Sequence, residues 1–140
     1  MRFIRLLFLM LLTATIAYAE PLSLQNLYFN RQPQNLPEAI ILYNSANPCE
    51  TCHKAIDMIV YVLKNNYRTK MHAYLIDVEK HPEFAAFFKT TTPLTLVIIR
   101  VTDNQTEGYA TLTGLQSQTG APEDFNRRIT EFINNFLGFY

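Results

Sequence analysis

Tryptophan is absent from this chain of 140 residues, cysteine occurs only twice, and lysine and arginine never gather into a run. Each shortage excludes something. With 12 basic and 12 acidic residues scattered along the chain, nucleic acid and a charged membrane surface are poor candidates for partners. The longest purely apolar stretch near the N-terminus, residues 6–12, falls well short of the roughly 20 residues that cross a bilayer. Two neighbouring cysteines make a poor staple, because a domain held by disulfides carries more of them at wider spacing, and closing so short a loop removes little unfolded-state entropy. There is no internal repeat and no low-complexity tract, and the length leaves room for one domain.

What is present divides the chain in three. Residues 1–19 have the layout of a cleavable secretory signal: Arg2 and Arg5, then the apolar run, then Ala17 and Ala19 as a small-x-small site before Glu20. Cleavage after Ala19 leaves ten basic residues against twelve acidic ones and predicts a periplasmic or secreted protein with no stable membrane insertion. No cysteine sits at the cleavage site, so a lipoprotein is not indicated. Residues 20–37 are polar, rich in Asn, Gln and Pro, and read as a lead-in segment; the patch Leu27, Tyr28, Phe29 is its one candidate for an edge strand. Residues 38–140 read as the folded domain; the chain as a whole is 49% hydrophobic and 17% charged, as a packed globule requires.

Within that domain the patterning alternates. Residues 39–43 form a short apolar run suited to a strand buried on both faces. From Cys49 to about Asn65, apolar residues recur at three- and four-residue steps (Cys52, Ile56, Ile59, Val60, Leu63), behind a Pro48 that suits a helix start. Residues 71–78 predict a second strand, and Pro82 opens a short helix with Phe84, Ala85, Phe87 and Phe88 on its apolar face. Residues 94–101 are the longest β-like run. Asp103-Asn104 marks a turn, and residues 109–113 return as a partner strand ending at Gly114. A last helix starts at Pro122, with Glu123 and Asp124 where acids favour the dipole. The order β-α-β-α-β-β-α predicts an α/β fold: a mixed sheet, part parallel and part antiparallel, with helices on both faces.

The segment Asn47-Pro48-Cys49-Glu50-Thr51-Cys52-His53 follows the buried strand and opens the helix. Two residues between cysteines let both sulfurs meet at a helix start. The unpaired amides and the positive dipole end there stabilise a thiolate at Cys49, and Cys52, one turn in, is placed to attack a mixed disulfide. Together with Thr92-Pro93, the closing hairpin, Gly114 and the final amphipathic helix, this segment resembles the thioredoxin superfamily over roughly residues 38–137. The resemblance implies a thioredoxin-like fold and disulfide exchange with partner proteins. It makes Cys49 the attacking thiolate and Cys52 the resolving thiol. Pro93, at the family's usual spacing, would be a cis-proline that keeps the sulfurs accessible, and the carbonyl and amide of Thr92 would pair with an extended substrate. No cofactor is implied; the electrons come from a redox partner protein, and the chain is expected to be a monomer.

The departures from the family pattern bear on mechanism. Pro48 stands where Trp is frequent, Glu50-Thr51 fills the space between the cysteines, and Tyr43 occupies the place of a buried acid that serves as proton shuttle. Glu50 beside Cys49 disfavours the thiolate and so points towards a reductant or general exchange protein, with His53 as an opposing positive charge. Three other readings stay open. Cys49-Glu50-Thr51-Cys52-His53 also matches the c-type haem attachment motif, with His53 and either Met58 or Met71 as axial ligands. Cys49, Cys52 and His53 could hold a soft ion such as Cu(I), as in a copper-handling or assembly factor, although three adjacent ligands with no clear fourth fall short of a structural metal site. The cysteines could also be a small structural pair. His72 and His81 read as strand-edge and turn residues, and Asn104-Gln105-Thr106 fits a glycosylation sequon that matters only in a host that uses it.

Overall fold

The computed structural model describes residues 24, 28, 36–47, 49–103, 105–117 and 121–139. The proposed signal segment, Pro48 and most of the lead-in lie outside them. The architecture follows from which stretches can be buried on two faces and which on one. Strand β1 (Glu38–Tyr43) is apolar on both sides, and it takes the interior of the sheet. It pairs in parallel with β2 (His72–Asp77) and antiparallel with β3 (Leu94–Thr102). Strand β4 (Gln105–Leu112) completes the order β2-β1-β3-β4. The parallel pair requires a crossover, supplied by helix α1 (Glu50–Asn66). Helix α2 (Pro82–Phe88) links β2 to β3, and helix α3 (Pro122–Leu137) closes the chain. The α/β order expected from the pattern is the order found.

Alternation along the strands sends side chains to two separate cores. Ala39, Ile41, Leu94, Leu96 and Ile98 face α1 and α3, meeting Ile59, Leu63, Phe125, Ile129 and Ile133. Ile40, Leu42, Ile76, Val97 and Ile99 face the other way, against Phe84 and Phe88 of α2 and Leu24 of the lead-in. Tyr28 has helical backbone and belongs to no strand; its ring meets Phe87, Phe88 and Tyr109 edge-on, and its carbonyl accepts a hydrogen bond from the Thr106 hydroxyl at 2.8 Å. The described part of the lead-in therefore covers the α2 face. Tyr67, at the end of α1, donates its hydroxyl to Asn134 Oδ1 at 2.7 Å and ties α1 to α3.

Two element boundaries differ from expectation. Strand β4 begins at Gln105, four residues before Tyr109, because the two-residue turn after Thr102 pairs Thr102 directly with Gln105. Asp103 supports that turn with φ of 52°. Residues 105–108 are held by ladder hydrogen bonds on an exposed edge, which leaves no apolar signature. Strand β3 likewise runs one residue beyond its apolar stretch, past a bulge at Arg100/Val101.

Phe84 is the largest fully buried side chain on the α2 face. Phe84→Ala should lower the unfolding free energy by about 3–5 kcal/mol, read from denaturant titration. A loss below about 1 kcal/mol would contradict the packing described.

Candidate active site

The site is built where β1 ends. Tyr43 is the last residue of the strand, and the loop 44–47 turns the chain towards α1. Asn44 shapes that loop: its side-chain oxygen accepts from Ala46 N–H at 2.9 Å and its carbonyl from Asn47 N–H at 3.3 Å. Asp77, at the end of the neighbouring β2 and opposite Tyr43 in register, holds the loop from the side. Its carboxylate accepts from Ser45 N–H at 3.1 Å and from Glu79 N–H at 3.0 Å. Asp77 is only 6% exposed. Hydrogen bonding from the Ser45 side chain, joined by the Ser45 and Glu79 amides and nearby Lys80, outweighs the effect of desolvation and holds its carboxyl below the ordinary Asp value.

Cys49 occupies the N-cap of α1, with extended backbone (φ −138°, ψ 114°). Its carbonyl accepts from Cys52 N–H at 3.0 Å, which starts the helix. Unlike the usual Ser, Thr, Asp or Asn, it makes no side-chain cap bond, where such a bond stabilises a helix by about 0.5–2 kcal/mol. The chain forgoes that stability to place a sulfur at the positive end of the helix dipole. Cys49 and Cys52 are joined in a disulfide, with Cα atoms 5.1 Å apart. The two sulfurs differ in access: Cys49 is half-buried, whereas Cys52 is 7% exposed and packs with the α1 core. Cys49 Sγ lies 3.2 Å from Thr51 Oγ1. Once the pair is reduced, that hydroxyl can donate to a Cys49 thiolate and favour it.

A shallow cavity of about 140 Å³ joins both cysteines to Tyr43, Ser45, His53, Ile56 and Pro93. Pro93, directly before β3, is among the residues lining this cavity. The expectation of a cis bond there is not met: no peptide bond among the described residues is cis, and Pro93 follows Thr92 in trans. Trans is the intrinsically favoured form before proline by about 0.5–1 kcal/mol. Thr92 also fastens this turn locally, donating its hydroxyl to Leu94 O at 3.1 Å and sharing a 2.9 Å bond with Thr95 Oγ1. Thr92 itself does not line the cavity. Glu50 and His53 are both exposed in the first turn of α1, and only His53 reaches the cavity. Met71 is buried in the α1 core and Met58 packs against it. Among the described residues no group of three His, Cys, Asp or Glu side chains is arranged to hold a metal ion.

Two contributors were not found by sequence reasoning. Thr51 was seen only as a spacer between cysteines. Asp77 sits 28 positions downstream of Cys49 in the chain, and only the parallel register of β1 and β2 brings it to the loop. Its bond to the amide of Glu79, two residues on, is an Asx-turn, the one local signal that could have marked it.

The loop clamp has a pH signature. Because the Asp77 carboxyl titrates lower when folded than when unfolded, its stabilisation is fully present above the unfolded Asp value, about 3.9, and is lost as pH falls through the folded value. Asp77→Asn should therefore lower Tm at neutral pH, and its difference from wild type should shrink steadily as pH drops below about 4. A gap that stays constant with pH would show that the carboxylate's charge does not hold the loop.

No protein-family model matches the sequence, and no curated protein matches it. Solved structures do. Malassezia sympodialis thioredoxin superposes with a TM-score of 0.53 at 16% identity, over 76% of this chain and 79% of that one. Chlamydomonas reinhardtii thioredoxin f2 gives 0.53 at 14% identity, over 75% and 82%. Fasciola hepatica thioredoxin gives 0.50 at 16% identity, over 71% and 83%. Identity this low speaks to architecture alone. The chain has the thioredoxin-like fold, and on it a Cys-x-x-Cys pair at disulfide distance opens the first helix.

Proposed function

We propose that this protein is an exported thiol–disulfide oxidoreductase acting on protein substrates through Cys49 and Cys52. The observation that carries the reading is the asymmetry of the pair: a reachable sulfur at the N-cap of α1, bonded to a buried one a turn further in. In the reducing direction the Cys49 thiolate attacks one sulfur of a client disulfide. A Cys49–client mixed disulfide forms, and the client's other sulfur leaves as a thiolate. Cys52, as thiolate, then attacks Cys49 Sγ. The Cys49–Cys52 bond forms, the second client thiol is released, and two electrons have passed to the client. A dithiol partner protein restores the reduced pair by the same two steps in reverse roles. Burial of Cys52 fits the resolving role, since it keeps that sulfur from outside disulfides while leaving it next to Cys49.

The apolar rim of Pro93, Tyr43 and Ile56 suits an unfolded or extended client better than a charged one. Export rests on the three-part pattern of residues 1–19. The intact mass of protein recovered from the exporting compartment should correspond to a chain beginning at Glu20, and recovery of the full-length mass would overturn that part of the reading.

The central test equilibrates the protein in a graded glutathione series, followed by alkylation and mass measurement. A single two-thiol transition is expected. Cys52→Ala should accumulate mixed disulfides that dithiothreitol releases, whereas Cys49→Ala should accumulate none. A Soret band surviving denaturation would instead mean haem bound covalently at these sulfurs, and the exchange reading would fail.

Glu50 bears on the potential. Removing its charge with Glu50→Gln stabilises the Cys49 thiolate and hence the reduced form, so the midpoint should move in the oxidising direction by about 10–20 mV, the size of an exposed charge effect. No movement, or movement the other way, would show that Glu50 does not tune the pair.

A further inference from the structure

A threonine inside a helix can turn its hydroxyl back to the carbonyl four residues earlier. Thr130 of α3 does so, donating to Asn126 O at 2.8 Å. Thr51 stands in the first turn of α1, and the residue four places before it, Asn47, belongs to the loop ahead of the helix. Its hydroxyl lies instead 3.2 Å from Cys49 Sγ. A sulfur in a disulfide carries no hydrogen, so the hydroxyl is the donor in this contact. The branched Cβ of threonine restricts the rotation that would carry the hydroxyl away.

Among the described residues no other side chain hydrogen-bonds this sulfur. The titratable neighbours are Cys52, Tyr43 and His53, which share the cavity, and Glu50, next in the chain. Tyr43, His53 and Glu50 make no bond to Cys49 Sγ. A hydrogen bond to an ionised acceptor is roughly twice as strong as one to a neutral acceptor. The Thr51 contact therefore strengthens as negative charge gathers on Cys49, and that difference is what can speed a reaction.

We propose that Thr51 is a catalytic residue of the exchange reaction, donating its hydroxyl to Cys49 Sγ both when that sulfur attacks and when it leaves. The proposal rests on the oxidoreductase reading and adds the residue that governs one of the two exits from the mixed disulfide. In the first exit Cys52 attacks Cys49, the client sulfur leaves, and Thr51 gives the leaving group no help. The second exit begins from a mixed disulfide made by a client thiolate attacking the Cys49–Cys52 bond. The client's second thiolate attacks the client sulfur, and a client disulfide forms. The Cys49–client bond breaks, and Cys49 departs as a thiolate with the electron pair. The client has lost two electrons, and Cys49 and Cys52 are left reduced. A leaving thiol of lower pKa departs faster. Thr51 lowers that of Cys49 by bonding its charged form, and so promotes release of an oxidised client.

The test uses the Cys52→Ala protein, in which Cys49 is the one thiol. Two quantities are read: the pH profile of Cys49 alkylation by iodoacetamide, and the rate at which excess glutathione frees Cys49 from its glutathione mixed disulfide. In the second reaction glutathione thiolate attacks the bound glutathione sulfur and Cys49 leaves. Adding Thr51→Val, which keeps the shape and removes the donor, should raise the alkylation midpoint by about 0.5–1 pH unit. It should slow release by about two- to threefold. Thr51→Ser should restore most of both, which a merely structural role of the side chain would not. Thr51→Ala replaces the valine variant should that one misfold by circular dichroism. Glu50→Gln should move the midpoint the opposite way, and by less. A profile and a release rate that Thr51→Val and Thr51→Ala both leave unchanged overturn the proposal, and so does a shift that serine does not restore. The two-thiol transition of the wild-type chain in the glutathione series is read separately. Its presence with an unmoved Cys49 profile removes Thr51 from the mechanism alone; its absence removes the exchange reading with it.

Discussion

Strand β1 is hydrogen-bonded along both edges and buried on both faces, so it has no freedom left to move independently of the sheet. Ala39, Ile40, Ile41 and Leu42 satisfy this by being apolar at every position, with polar residues only outside the run. The constraint propagates to the chemistry. The last residue of β1, Tyr43, is fixed by register to Asp77 on one side and Leu94 on the other. Those two neighbours are the ends of the segments that build the rest of the site: Asp77 holds the loop to Cys49, and Leu94 follows directly on Pro93. Three stretches far apart in the chain converge because one strand cannot shift.

How much of this was legible in the sequence depended on whether the cause was local. The β1 run, the amphipathic α1 and the Pro-led starts of α2 and α3 all write burial directly into residue type, and each was found within a residue or two. The first four residues of β4 include no large apolar side chain, and their strand state comes from pairing with β3 across a two-residue turn, so hydrophobic patterning could not show it. Asp77 is the same lesson at the site. It had no visible role until the parallel register brought it beside Ser45. The bond before Pro93 is trans, and the residues around it carry no local signal for its isomer.

The site also shows where local rules give way. Cysteine is a weak N-cap, and α1 starts without any side-chain cap bond. What the helix loses in capping, the sulfur gains in electrostatic setting: the first-turn amides face it, and the Thr51 hydroxyl lies within contact. Glu50 works against that setting from an exposed position in the same turn. An exposed charge is screened by water, while a helix end acts at close range.

Helix α1 therefore serves two surfaces from its two ends. Its N-terminus presents Cys49, and its C-terminal half borders a groove beside β2.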